Sequence, residues 1–200
     1  MMTVDVFSGA LDSNSFLLAE GKNCILIDAG CDYAEVEKRL SDLGGKLAAV
    51  LLTHGHFDHT ISAAKFSGYA PVYISEKDAF MLGSEADSLA FNFGMRFTPV
   101  KKYRTIGEGL FNIGGFNVEV IPTPGHTAGS VCYRIGDMLF AGDTVFKYGY
   151  GRYDLPTGSY KDLVASFKKL SLYSGLTVFC GHGENTSLDK EKLFNPLFNL

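Results

Sequence analysis

The chain has 200 residues, 46% hydrophobic and 13% aromatic, with a net charge of −4. That length and apolar content fit one globular α/β domain over residues 1–200, burying about 70% of its unfolded surface. The acidic balance offers no general attraction for polyanions, so neither nucleic acid nor an anionic membrane is expected as a partner.

The longest apolar run, Leu47 to Leu52, is far short of the roughly 20 residues a membrane span needs. Asp5 and Asp12 interrupt the place where a secretory signal would carry its basic end and apolar stretch, and a cytoplasmic address is the expectation. Cys24, Cys31, Cys132 and Cys180 form no C-x-x-C pair and read as reduced thiols. Three read as small buried hydrophobes. Cys180, two residues before His182, reads first as a buried strand residue and second as a group with a direct metal role.

The first elements are strands. Val4 to Phe7, Ser15 to Leu18 and Cys24 to Ile27 are short β-rich runs separated by turn residues. Val36, Leu40 and Leu43 then recur at helical spacing until Gly44-Gly45 stops the helix. Leu47 to Leu52 is the continuous apolar pattern of a strand buried on both faces. A short helix is expected from about Thr60, a strand at Pro71 to Ile74 and a second short helix at Glu76 to Leu82. Gly83 to Gly109 keeps no sustained period and reads as an insertion or lid.

Strands resume at Phe116 to Ile121, Val131 to Ile135 and Met138 to Ala141, with Gly114-Gly115 and Gly136-Asp137 as turns. Ser159 is placed to cap a helix that buries Leu163, Phe167 and Leu170. Thr177 to Cys180 is the last expected strand, and Leu188 to Phe194 a closing helix ended by Pro196. Strands in two blocks, each followed by helices, predict two packed sheets with helices outside.

All five histidines fall in ligand-type motifs. His54, His56 and His59 stand with Asp58 in Thr53-His54-Gly55-His56-Phe57-Asp58-His59; His126 follows Pro124-Gly125, and His182 follows Cys180-Gly181. His54 and His56, two apart on an extended strand end, point the same way and can share one ion. Asp58 and His59 come after a turn and can face a second. Asp143, in Gly142-Asp143-Thr144, has two carboxylate oxygens and is the natural bridge. A position left over for water marks such a site as catalytic rather than structural. Water shared between two cations becomes a hydroxide nucleophile near neutral pH, so no Ser or Cys nucleophile is needed.

These motifs, with Pro124-Gly125-His126-Thr127-Ala128-Gly129-Ser130 and Gly181-His182-Gly183, resemble the metallo-β-lactamase superfamily. Gly142 to Phe146, Gly151 to Pro156, Cys180 to Thr186 and Asn195-Pro196 resemble its glyoxalase II-like, hydroxyacylglutathione hydrolase-like branch. The resemblance spans about residues 3 to 198 and implies a four-layer αββα sandwich, two mixed sheets with helices on the outer faces and metals at one edge. It implies His54, His56 and His126 on one metal, Asp58, His59 and His182 on the other, and Asp143 bridging. Asp28 matches an aspartate that orients the ligands by hydrogen bonding; the lesser alternative is a turn aspartate.

Two departures bear on the substrate. The 200 residues leave no room for the added C-terminal helical domain that holds glutathione in full-length glyoxalase II, so the resemblance is to a short form. Arg152 stands where those enzymes have a lysine, and either grips a substrate carboxylate or makes an internal salt bridge. Lys101 and Lys102, with Arg104, read as a solvated face of the lid or as a group that steers an anionic acyl thiol.

The leading expectation is a binuclear metal hydrolase of small acyl thioesters, in which Asp58 and Asp143 hold the metals that carry the chemistry. Two zinc ions are the first choice, with iron or manganese compatible with the same ligands. The alternative is an oxidoreductase like the persulfide dioxygenases, with a single iron on two histidines and an aspartate. A β-lactamase or a nuclease on this scaffold fits the sequence less well. The acyl group, the thiol carrier and the oligomeric state are not written in the sequence.

Overall fold

A computed structural model describes residues 2–200. The first half forms a six-stranded sheet from β1 (Met2–Ser8), β2 (Asn14–Glu20), β3 (Asn23–Ile27), β4 (Lys46–Leu51), β5 (Val72–Ile74) and β6 (Arg104–Thr105), in that spatial order. The second half contributes β7 (Gly109–Ile113), β8 (Phe116–Pro122), β9 (Val131–Ile135) and β10 (Met138–Gly142), then a small hairpin of β11 (Val145–Phe146) and β12 (Gly149–Tyr150), then β13 (Thr177–Cys180) and β14 (Thr186–Ser187). Its sheet runs β14-β13-β10-β9-β8-β7. Both sheets are mixed: β3, β4, β5 and β6 are mutually parallel, as are β10 and β13, and the other pairs are antiparallel.

The period of two decides the layers. In β3, Ile25 and Ile27 face the second sheet and meet Val118, Tyr133 and Phe140. Their neighbours Cys24 and Leu26 point outward, under α1 (Tyr33–Leu43). The outer face of the second sheet, with Cys132, Leu139 and Val178, lies under α4 (Tyr160–Leu170) and α5 (Leu188–Phe194). This is the four-layer αββα arrangement, and it explains why Leu47 to Leu52 has no polar face. A register shift beside Ala48 lets Leu47 share the outer face with Val50, out of strict alternation.

Local chemistry sets the helix ends. Asp32 accepts the Ala34 amide at 2.7 Å to cap α1, and Gly44 ends it in the left-handed region at φ 56°. Ser159 caps α4 by accepting the Asp162 amide, which aims Leu163, Phe167 and Leu170 at the sheet.

Several expectations need correcting. The helix expected from Thr60 is two short pieces, α2 (Phe57–Thr60) and α3 (Ala63–Phe66). Glu76–Gly83 forms 3₁₀ turns instead of an α-helix. The segment read as an insertion supplies strand β6 and buries Leu89, Ala90, Phe97, Val100 and Ile106, so it is a packed part of the fold. Among the described residues, no helix is long and apolar enough to cross a membrane.

Candidate metal centre

The site lies where strands end. Strand β3 delivers Asp28 and β4 delivers Thr53 and His54; β8 leads to His126, β10 to Asp143 and β13 to His182. All five strands reach this edge with their C-terminal ends, as ligand-binding residues commonly do in α/β sheets. The seven residues singled out as ligands converge there. Ligand atoms of His54, His56 and His126 lie within 4.8 Å of one another, as do those of Asp58, His59 and His182, and those of His54, His59 and Asp143. Asp143 sits between the clusters: Oδ1 is 3.3 Å from His59 Nε2, and Oδ2 is 3.5 Å from both His126 Nε2 and His182 Nε2. A single carboxylate thus faces both triads.

Hydrogen bonds behind the ligands decide which nitrogen each histidine presents. Asp28, buried and at φ 58°, accepts the Thr53 amide at 2.7 Å, the Thr53 hydroxyl at 2.8 Å and His59 Nδ1 at 2.9 Å. Having given its proton to Asp28, the Thr53 hydroxyl can only accept from His54 Nδ1, 3.1 Å away. His126 Nδ1 donates to the Arg152 carbonyl at 2.7 Å. In all three rings the hydrogen bond occupies Nδ1, so Nε2 is the nitrogen turned toward the centre.

Among the described residues, two buried side-chain polar atoms lack a hydrogen-bond partner: His54 Nε2 and Asp143 Oδ1. An unpaired buried acceptor is costly, and His56 Nδ1 lies only 2.9 Å from His126 Nε2. Converging bare nitrogens and an orphaned carboxylate oxygen are what a cation satisfies, so these residues fit a metal. Five imidazoles and two carboxylates suit zinc, iron or manganese alike.

The electrostatics divide the site. Burial, reinforced by neighbouring histidines, pushes His54 well below its ordinary value and His56 down to about 3. On the other side burial also opposes a charged His59, yet Asp58, Asp143 and Asp28 together lift it well above its ordinary value. His182 is raised too, against its own burial, by its hydrogen bond to Asp58. Asp143 is buried, but His59 holds its carboxyl well below the usual range. His54 and His56 therefore favour the neutral imidazole, while His59 and His182 favour holding protons that a metal would replace.

Two glycines let the loops close. A Cβ on Gly181 would stand 2.2 Å from Asp143 Oδ1, and one on Gly125, at φ 144°, would stand 2.4 Å from the Leu163 backbone. Cys180 is buried on β13 as a protonated thiol, pushed up to about 12 by burial, and belongs to none of the ligand clusters.

The remaining candidates separate. Arg152 lines the pocket over the site, but its guanidinium is taken by Asp154 in a two-pronged pair at 2.7 and 2.9 Å. Lys101 and Lys102 do not reach that pocket; Lys102 borders a separate groove with Ser67, Tyr69 and Tyr103. Strand direction is the reason. Because β6 runs parallel to β5 and β4, residues just before Arg104 lie at the strands' N-terminal ends, opposite the histidines.

Three supporting residues escaped the sequence reading. Asp78 is fully buried and accepts the Gly55 amide at 3.1 Å, the Gly129 amide at 2.8 Å and the Thr127 hydroxyl at 2.6 Å. It ties the first histidine motif to the His126 loop. Ser13 gives its hydroxyl to the Asp58 carbonyl at 2.6 Å and bridges to His182. Glu191, also fully buried, accepts the Tyr148 amide at 2.9 Å and holds the β11–β12 hairpin against the site. No motif marks Asp78 or Glu191; both stand in segments that the sequence reads as short helices.

An αββα sandwich with a His/Asp cluster at its edge defines a class of metal-dependent hydrolases. The metallo-beta-lactamase superfamily model matches residues 8–182, and the chain belongs to that superfamily. It is 34% identical over 196 residues to hydroxyacylglutathione hydrolase GloC of Haemophilus influenzae, covering 92% of each chain. In structure it is similar to BLEG-1 B3 metallo-beta-lactamase, with a TM-score of 0.92 and 30% identity over 100% of each chain. It is also similar to TTHA1623 in a di-iron-bound form, with a TM-score of 0.85 and 34% identity, over 96% of this chain and 98% of that one.

Proposed function

We propose that the protein is a binuclear metal-dependent hydrolase of acyl thioesters. The observation that carries the reading is Asp143, one carboxylate within 3.5 Å of histidines in both triads. His54, His56 and His126 would hold one ion, Asp58, His59 and His182 the other, with Asp143 shared. Bound divalent cations supply Lewis acidity there: a polarised carbonyl and a water made acidic near neutral pH. The chain's own residues fix the rest. Asp28, Thr53 and the Arg152 carbonyl hold the three rings with Nε2 inward. The likeness to GloC favours a thioester as substrate.

The single-iron persulfide dioxygenase reading leaves Asp58 and His182 without a task, and they are 3.2 Å apart and aimed at the centre. β-Lactam hydrolysis is the second reading to keep, because the likeness to BLEG-1 covers the whole chain. The deciding experiment is elemental analysis of the purified protein, followed by hydrolysis of acyl thioesters on several thiols, a chromogenic cephalosporin, and oxygen uptake with a persulfide. Two metals per chain with thioester turnover is the expected result. One metal with persulfide-dependent oxygen uptake, or cephalosporin turnover alone, would overturn it.

A further inference from the structure

The pocket over the metal centre, about 390 Å³, has walls that the proposed chemistry does not require. Leu11, Leu89, Phe93, Phe146 and Leu155 line it beside the ligands. Its one cationic side chain among the described residues, Arg152, is already paired with Asp154. Apart from the candidate ligands, the described lining offers a negatively charged tail no unpaired cation, and Tyr150 is its one other polar side chain.

The backbone singles out two of these walls. Leu11 has φ 53° and Leu89 has φ 68°, both in the left-handed region. A bulky side chain is disfavoured there, and such outliers persist where the surroundings require them. Besides glycines such as Gly21, Gly44 and Gly94, the described residues in this region are Leu11, Asp12, Asp28, Leu89, Tyr148 and Thr157, and of these Leu11 and Leu89 are the two that line the pocket. Leu89 is buried against Phe57 and Phe97, so core packing contributes to its choice. Leu11 is different: it is 50% exposed, so little packing is gained in return for the strain. What its side chain does provide is an apolar surface at the mouth of the pocket.

We propose that the pocket receives an uncharged, apolar group attached to the scissile carbonyl or to its sulfur, and that Leu11 is the residue that selects it. The proposal rests on the thioester-hydrolase reading. An apolar chain laid along these walls gains about fourfold per buried methylene. Substrates with an anionic tail gain nothing from the same walls.

The test uses the metal-loaded enzyme with two substrate series. One lengthens the acyl chain from acetyl to hexanoyl on a small neutral thiol; the other keeps acetyl and lengthens an alkyl thiol, with glutathione as the polar comparison. In at least one series kcat/KM rises, by about 16-fold from two to four carbons. Leu11→Gly lowers that ratio to about threefold or less, and Leu11→Met restores most of it. The melting temperature of Leu11→Gly does not fall, because glycine relieves the left-handed backbone; this separates lost selectivity from lost fold. Flat series in both arms, or equal loss on every substrate in Leu11→Gly, would overturn the proposal.

Calorimetric titration with non-hydrolysable alkyl thioethers reads the same slope without turnover. If no thioester is hydrolysed while affinity still rises with chain length, the reaction assignment has failed and the apolar pocket stands. If thioesters are hydrolysed and affinity is flat, the pocket assignment has failed alone.

Discussion

Asp78 accepts the hydroxyl of Thr127 at 2.6 Å, a bond across 49 residues of sequence to the loop that carries His126. The same carboxylate receives the Gly55 amide, between His54 and His56, and the Gly129 amide. Three donors converge on one buried acceptor.

An amide at that position turns one acceptor oxygen into a donor and sets it against donors already there. Asp78→Asn should lower stability by about 2–4 kcal/mol, the cost of losing charge-assisted bonds and stranding buried donors. It should also lower metal occupancy, because both histidine loops lose their common anchor. Denaturant unfolding and elemental analysis check the two effects; a variant with full metal content and wild-type stability would remove Asp78 from the architecture of the site.

Gly181 offers a sharper test of the bridge. A Cβ there would stand 2.2 Å from Asp143 Oδ1 and 2.7 Å from the Gly142 carbonyl carbon, and backbone cannot yield as a flexible side chain does. Gly181→Ala should displace the Asp143 carboxylate, reduce bound metal by about half or more and cost about 1–3 kcal/mol from overpacking. Gly107→Ala, with nothing within 4 Å of its added methyl, is the control expected to be silent. Equal metal content in both variants would show that the carboxylate tolerates the shift.

Much of this was legible in the sequence, and the reason is locality. His54, His56, Asp58 and His59 lie within one turn of chain, so their spacing alone fixes a shared direction. The alternation of Ile25 and Ile27 against Cys24 and Leu26 likewise predicts a sheet covered on both faces. Strands β6, β11, β12 and β14 have two residues each and exist only through their partners, so no periodicity announces them. Asp78 stayed hidden for the same reason: its partners are 23, 49 and 51 residues away. The position of Lys101 and Lys102 depends on the direction of β6, which a charge cluster does not reveal.

Proton release should distinguish the two triads. In the metal-free protein His59 and His182 are raised above 6.5 by the surrounding carboxylates, while His54 and His56 are lowered. Near neutral pH the first pair is biased toward the protonated form and the second toward the neutral one, so metal uptake at the Asp58 side should expel more protons. Uptake at that triad should weaken as pH falls below neutrality, while His54 and His56, already neutral, contribute no proton. Calorimetry in two buffers of different ionisation enthalpy measures the count: His54→Ala should keep the released protons and His182→Ala should lose part of them. The reverse pattern would invert the assignment of charge.

Arg152 carries the last prediction. Its side chain is exposed and forked onto Asp154, whose carboxyl it holds down at about 2 by hydrogen bonding. Its link to the metal centre is the backbone carbonyl that accepts from His126 Nδ1, which any residue supplies. Arg152→Ala should therefore leave metal content unchanged and shift KM for succinyl and butyryl thioesters equally or not at all. Asp154→Ala should do the opposite: with its partner gone, the guanidinium is free to take a carboxylate, and KM for the succinyl thioester should fall several-fold while that for the butyryl thioester stays put. An interaction of this kind, remote from the reacting carbon, appears in KM rather than in kcat. If Arg152→Ala raised KM for the succinyl substrate alone, the arginine would be a carboxylate receptor despite its partner, and the pocket would accept anionic substrates as well as apolar ones.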